Sequence, residues 1–157
     1  IKHTNDTAAM TIDSAGRMLF PNQVRFHAAG IPTDSTHNVY LQFGNVTNGM
    51  MVDSTHYAAS SGTFTAPVAG TYQITWSVFS QNETTRLDAY ILVNGTVVMR
   101  EEINGYPNTA INKSGSVHGC YYLSANDNVT FGVYTAAGVS IYVNAAPWTY
   151  ACGFLLG

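Results

Sequence analysis

The sequence predicts an all-β fold of short strands stacked in sheets, and three observations carry the prediction. Apolar and polar residues alternate with a period of two in one segment after another. Gly, Asn, Asp and Pro punctuate those segments at short intervals, and the three-to-four-residue apolar spacing of an amphipathic helix is nearly absent. Strands this short, with turn signals this frequent, belong to a sandwich or jelly roll.

The first element is a hairpin. Met10 and Ile12 alternate with Thr11, Asp13-Ser14-Ala15-Gly16 makes a turn, and Met18 and Phe20 alternate with Leu19. A two-stranded hairpin is marginal in water by itself. It therefore needs packing on the main domain or on the same hairpin of other subunits. Pro21 ends it, which divides the chain into a neck of residues 1–23 and a head of residues 24–157 whose first strand covers 24–28. Tyr72, Ile74, Trp76 and Val78 then share one face of a strand, with Gln73, Thr75 and Ser77 on the other. Leu87, Ala89, Ile91 and Val93 repeat the pattern and run into Asn94-Gly95, followed by Thr96, Val97, Val98 and Met99. Both turn residues tolerate positive φ, so this is a tight hairpin. Val117, Tyr121 and Leu123 mark another strand, the Asn126-Asp127-Asn128 turn follows, and Val129, Phe131 and Val133 make the next strand. Val139, Ile141 and Val143 continue the series before the closing strand, 148–156.

That last strand carries Trp148, Tyr150, Cys152, Phe154 and Leu156 on one face and Ala151, Gly153 and Leu155 on the other. A sheet with one wet side alternates apolar with polar. Here neither face is polar, so both need cover, one inside the sandwich and the other, with Leu155, from a further copy of the chain. Leaving Leu155 and nearby aromatics wet forgoes several kcal/mol at ~25 cal/mol per Å2.

Composition narrows the function. The chain has 157 residues, of which 46% are hydrophobic and only 10% charged, against ~25% charged in ordinary domains. That is one domain with a substantial core and a polar, mostly uncharged surface rich in Thr, Ser, Asn and Gly. Seven Phe, ten Tyr and two Trp are too much aromatic surface for a disordered chain. A net charge of −3 argues against a basic groove and so against nucleic acid as a partner. No apolar run approaches the ~18 residues of a membrane span, and no signal-peptide pattern opens the chain. The start at Ile1 reads as a mature product or a domain of a longer chain. Cys120 and Cys152 lie in apolar strand-like runs, which favours buried free thiols over a bridge, and neither has a second ligand at zinc spacing.

The stretch from Tyr57 through Phe64, Gly70, Tyr72 and Ile74 to Trp76 resembles the signature of C1q-like domains, with Ile74 and Trp76 in place of aromatic residues usual in that family. Leu123-Ser-Ala-Asn-Asp127-Asn-Val129 is similar to the family's Leu-x-x-Gly-Asp-x-Val, Asn126 taking the Gly position where αL is tolerated. Gly153-Phe154-Leu155-Leu156 is similar to its closing strand, so the resemblance covers residues 24–157. It implies a ten-stranded jelly roll of the C1q and tumour necrosis factor type, assembled as a homotrimer, with Leu155, Tyr122 and Phe79 as expected interface residues. Within that reading Gly70 supplies a positive-φ turn approached through Pro67, and Phe64, Tyr72 and Trp76 form an aromatic core with edge-to-face contacts. Residues 9–18, running into Pro21-Asn22-Gln23-Val24-Arg25-Phe26, resemble segments that precede such heads in bacteriophage tail fibres.

No active site emerges, and the chain reads as a non-enzyme. His3, His27, His37, His56 and His118 are scattered, and Asp53-x-x-His56 lacks a third metal ligand. There is no Gly-x-Ser-x-Gly elbow. Glu101 and Glu102 are adjacent and point to opposite faces of a strand, so they are no acid/base pair, while Glu83 and Asp88 read as surface charges near a turn. No cofactor is called for, and nothing indicates calcium. Loops are the candidates for binding. Residues 102–113 carry Tyr106 beside Asn104 and Asn108, an aromatic with amides suited to stacking on and reading a sugar ring, and residues 80–86 and 33–38 are further loops.

The expected function is that of a trimeric head at a virion surface or fibre tip, binding a host-surface receptor, a glycan above all. The alternatives are a secreted recognition protein or lectin and a purely structural trimerisation domain. Six Asn-x-Ser/Thr sequons, at Asn5, Asn45, Asn82, Asn94, Asn112 and Asn128, are explained by a composition rich in both residues and would carry glycans only in the secreted case.

Overall fold

A computed structural model of the chain describes residues 10–19, 23–29, 39–40, 55–58, 60–83, 86–103, 111–135, 142–143 and 149–157. Every regular element among them is a strand: β1 (Thr11–Ile12), β2 (Met18–Leu19), β3 (Arg25–Ala29), β4 (Val39–Tyr40), β5 (Tyr57–Ala58), β6 (Thr63–Thr65), β7 (Gly70–Glu83), β8 (Leu87–Val93), β9 (Thr96–Ile103), β10 (Ile111–Leu123), β11 (Asn128–Thr135), β12 (Tyr142–Val143) and β13 (Tyr150–Leu155).

β1 and β2 form a separate two-stranded sheet in which Ile12 faces Met18. Asp13 builds the turn. Its Oδ1 accepts from the Ala15 and Arg17 amides at 2.9 Å each, its Oδ2 accepts from Arg17 Nε at 2.6 Å, and Gly16 takes φ 77°. Those bonds from Arg17, led by the backbone amide, hold the Asp13 carboxyl below its usual range.

The remaining strands make two antiparallel sheets. The first runs β10-β7-β13-β3, with β12 continuing beside β13 along β7; the second runs β5-β6-β11-β8-β9, with β4 also on β11. The pairing is nested: β3 lies on β13, β6 on β11, β7 on β10 and β8 on β9, so the outermost strands in sequence pair with each other and the innermost form a hairpin. The hairpin turn is Asn94-Gly95, at φ 49° and 79°, as its sequence requires. Asn126 likewise adopts φ 71°.

The sheets face one another across an aromatic core. Phe26 of the first sheet stacks on Phe64 of the second at 4.4 Å between centroids, Phe64 meets Tyr72 edge-on at 5.7 Å, and Trp76 leans on Phe131 at 5.8 Å. Phe64, Tyr72, Ile74, Trp76, Leu87, Ile91, Leu123 and Phe131 are fully buried. Two of the aromatic side chains brought inside place their polar atoms on carbonyls: Trp76 Nε1 donates across the gap to the Gly132 carbonyl at 3.0 Å, and the Tyr72 hydroxyl donates to the Val68 carbonyl, just ahead of β7, at 2.9 Å.

Gly70 departs from expectation. It is not at positive φ. A Cβ there would lie 2.7 Å from Leu155 Cδ1 and 3.1 Å from the Gly157 carbonyl, so the glycine admits the closing strand rather than making a turn. Leu155 therefore points inward. It packs on the core beside Tyr72, on the same face as buried Ala151 and Gly153, while Phe154 and Leu156 point outward. From Tyr150 onward the residues divide between the two faces as alternation expects, and the face that looks out is the one with Phe154, not the one with Leu155.

Candidate functional site

Two outward faces, one on each sheet, carry the surface chemistry of the described residues. On the first sheet, β10, β7, β13 and β3 bring Cys120, Gln73, Phe154 and Arg25 into one row and His118, Thr75, Cys152 and His27 into the next. Tyr122 is 64% exposed, Leu156 53% and Phe154 40%. Phe79 is half-buried on the same face, its amide donating to Thr149 Oγ1 at 3.1 Å. Among the described side chains of these rows Arg25 alone carries a full charge.

Both cysteines are free. Neither is buried as expected: Cys120 is exposed and Cys152 half-buried, because both fall on the outward register of their strands, with β7 between them. Burial pushes the Cys152 thiol up, partly offset by a hydrogen bond with Thr75. His27 sits edge-on to Tyr150 at 5.8 Å. Its desolvation lowers the imidazole pKa from the ordinary 6.5. The folded state thus binds this proton less readily than the unfolded chain. The stability linked to His27 is complete above about pH 6.5 and is lost as pH falls through the depressed folded value. Urea midpoints are expected to drop between pH 7 and 5, and His27→Gln should flatten that slope; an unchanged slope in the variant would assign it elsewhere.

The second sheet presents a different surface. Leu87, Ala89, Ile91 and Val93 of β8 face the core. The intervening Asp88, Tyr90 and Leu92 face outward yet are nearly covered, at 2%, 8% and 2% exposure. Asp88 is thus no surface charge. Arg86 grips it as a fork, Nε to Oδ1 at 2.7 Å and Nη2 to Oδ2 at 2.6 Å, and Arg100 Nη2 reaches Oδ2 at 2.6 Å. Glu102, opposite Asp88 on β9, contacts both guanidiniums, Arg86 at 3.0 Å and Arg100 at 3.4 Å. The hydrogen bond with Asp88 is the main cause of a raised Arg86 pKa. Arg86 also lies over the Tyr134 ring, 5.6 Å from its centroid. The Tyr90 ring covers Gly132, where any Cβ would strike it, and its hydroxyl donates to the Val133 carbonyl at 3.0 Å. Between these groups runs a groove of about 420 Å3, which Gly95 and Val97 complete.

The remaining expected positions separate. Tyr106, Asn108 and Asn104, together with Asp53, His3, His37 and Trp148, lie outside the described residues. Tyr122 and Phe79 fall on the outward face of the first sheet, whereas Leu155 does not. Among the described residues no group of three or more His, Cys, Asp or Glu is placed to hold a metal ion, and no helix is long and apolar enough to cross a membrane. No protein-family model matches the chain, and no curated protein matches it.

Proposed function

We propose that this chain is a C1q-like jelly-roll head, trimeric, borne on the outside of a virus particle at a fibre tip, where it attaches to a glycan of the host surface. Nested strand pairing, first with last and innermost as a hairpin, supports the jelly roll. The observation that carries the assembly is the outward face of the first sheet, where Tyr122, Phe154 and Leu156 stand exposed and Arg25, beside Phe154, is the one full charge in the two described rows. Apolar surface of this kind, nearly free of charge, suits contact with further copies of the chain. Leu155 contributes from behind, by supporting the strand that presents Phe154. The N-terminal hairpin, with Ile12 65% and Met18 63% exposed, is then the neck through which three chains associate. The mechanism is multivalency, three weak sites on one rigid body.

Light scattering of the purified chain at micromolar concentration is expected to give three times the chain mass. Phe154→Glu, which plants a charge in the contact, should yield a folded monomer. In the assembled wild type Cys120 should resist alkylation, and in the Phe154→Glu monomer it should react. A wild-type mass of one chain would overturn the reading.

A further inference from the structure

We propose that the groove on the outward face of the second sheet is a binding site for a neutral pyranoside, an uncharged sugar unit of a glycan chain. The inference rests on the attachment reading above and gives it a location.

The groove's volume, about 420 Å3, lies within the ~300–1,000 Å3 of small-ligand clefts. Its polar wall is two guanidiniums whose orientation is fixed from beneath by a buried carboxylate. Asp88 needs only the Arg86 fork to be satisfied, yet it holds Arg100 as well. Arg100 makes all of its described hydrogen bonds through Nη2, to Asp88 and to Glu102. A guanidinium has five N–H donors, so among the described residues Nε and Nη1 of Arg100 and Nη1 of Arg86 keep theirs for a ligand. Groups held in advance in this way lose little freedom on binding.

The charges decide the ligand class. Arg86 and Arg100 are balanced by Asp88 and Glu102, and the Glu102 carboxylate already sits against both guanidiniums. An anion would meet no net field and would have to displace Glu102. Hydroxyl groups, which both accept and donate, match a surface that offers N–H donors beside the exposed carboxylate of Glu102. Val97, 49% exposed, provides the apolar wall for the C–H face of a sugar ring. The groove also faces away from the sheet proposed to form the trimer, so assembly leaves three copies open.

The experiment is an array of immobilised neutral oligosaccharides and their uronate- and sialate-bearing counterparts, probed with the full chain. Binding should favour the neutral set. Val97→Trp, which fills the groove at an exposed strand position, should abolish it. Arg100→Lys keeps a cation near Asp88 but loses the planar fork, and should weaken it about tenfold; thermal melts verify that both variants fold. If the array is bound and Val97→Trp has no effect, or acidic glycans bind in preference, the groove is overturned while the attachment reading stands. If wild-type protein binds no glycan on the array, both fall.

Discussion

Trp76→Ala is expected to be the most damaging single substitution in the head. The side chain is fully buried at the middle of β7, against Phe131 of the facing sheet. Removing a buried Trp costs about 3–5 kcal/mol through lost transfer energy and the cavity left behind. A second loss adds to it, because Nε1 is the donor to the Gly132 carbonyl at 3.0 Å. Without it that carbonyl is buried with one partner fewer. Trp76→Phe separates the terms: the ring is largely retained and the donor lost, so the penalty should fall to about 1–3 kcal/mol. Urea denaturation followed by circular dichroism measures both. Equal costs for the two variants would show that the hydrogen bond, rather than the volume, dominates.

The second large effect concerns the Asp88 clamp, and its ordering is counterintuitive. Arg86→Ala with Arg100→Ala leaves a carboxylate that is 2% exposed without either cation. An uncompensated buried charge of this kind costs about 3–5 kcal/mol. Asp88→Ala should cost less, because the guanidiniums it frees are 37% and 46% exposed and turn to water or to Glu102. Arg100→Ala alone should be mild, since the Arg86 fork still satisfies both oxygens. Denaturation midpoints that ranked Asp88→Ala below the double arginine variant would contradict the clamp.

The sequence was informative about fold and much less so about surface. Period-two alternation placed β7, β8 and β11 and their core faces, because one side chain in two must leave water. Asn94-Gly95 fixed the β8-β9 hairpin. The cluster around Asp88 was hidden by a single irregularity in that hairpin. Counting outward from the turn, Val93 pairs with Thr96 and Leu92 with Val97, which carried on regularly would set Arg100 opposite Ala89, on the face turned to the core. A bulge at Val98 shifts the register, so that Ile91 faces Met99, Tyr90 faces Arg100 and Asp88 faces Glu102. One extra residue thereby brings Arg100, and Glu102 with it, onto the face where Arg86 already holds Asp88, and alternation alone gives no sign of it. Gly70 was misread for a related reason: a glycine that admits a neighbouring side chain looks the same in sequence as one that turns the chain.

Because β13 lies between β7 and β3, the last of the described strands to be made occupies the interior of the first sheet rather than its rim. A nascent polypeptide therefore has no slot-by-slot route to its native form. Among the described residues β3 pairs in that sheet with β13 alone, so it has no partner there until β13 has been made. Maturation becomes a late, concerted event, slowed by the long loop that must close. Removing β13 would not trim the domain but split its first sheet down the middle.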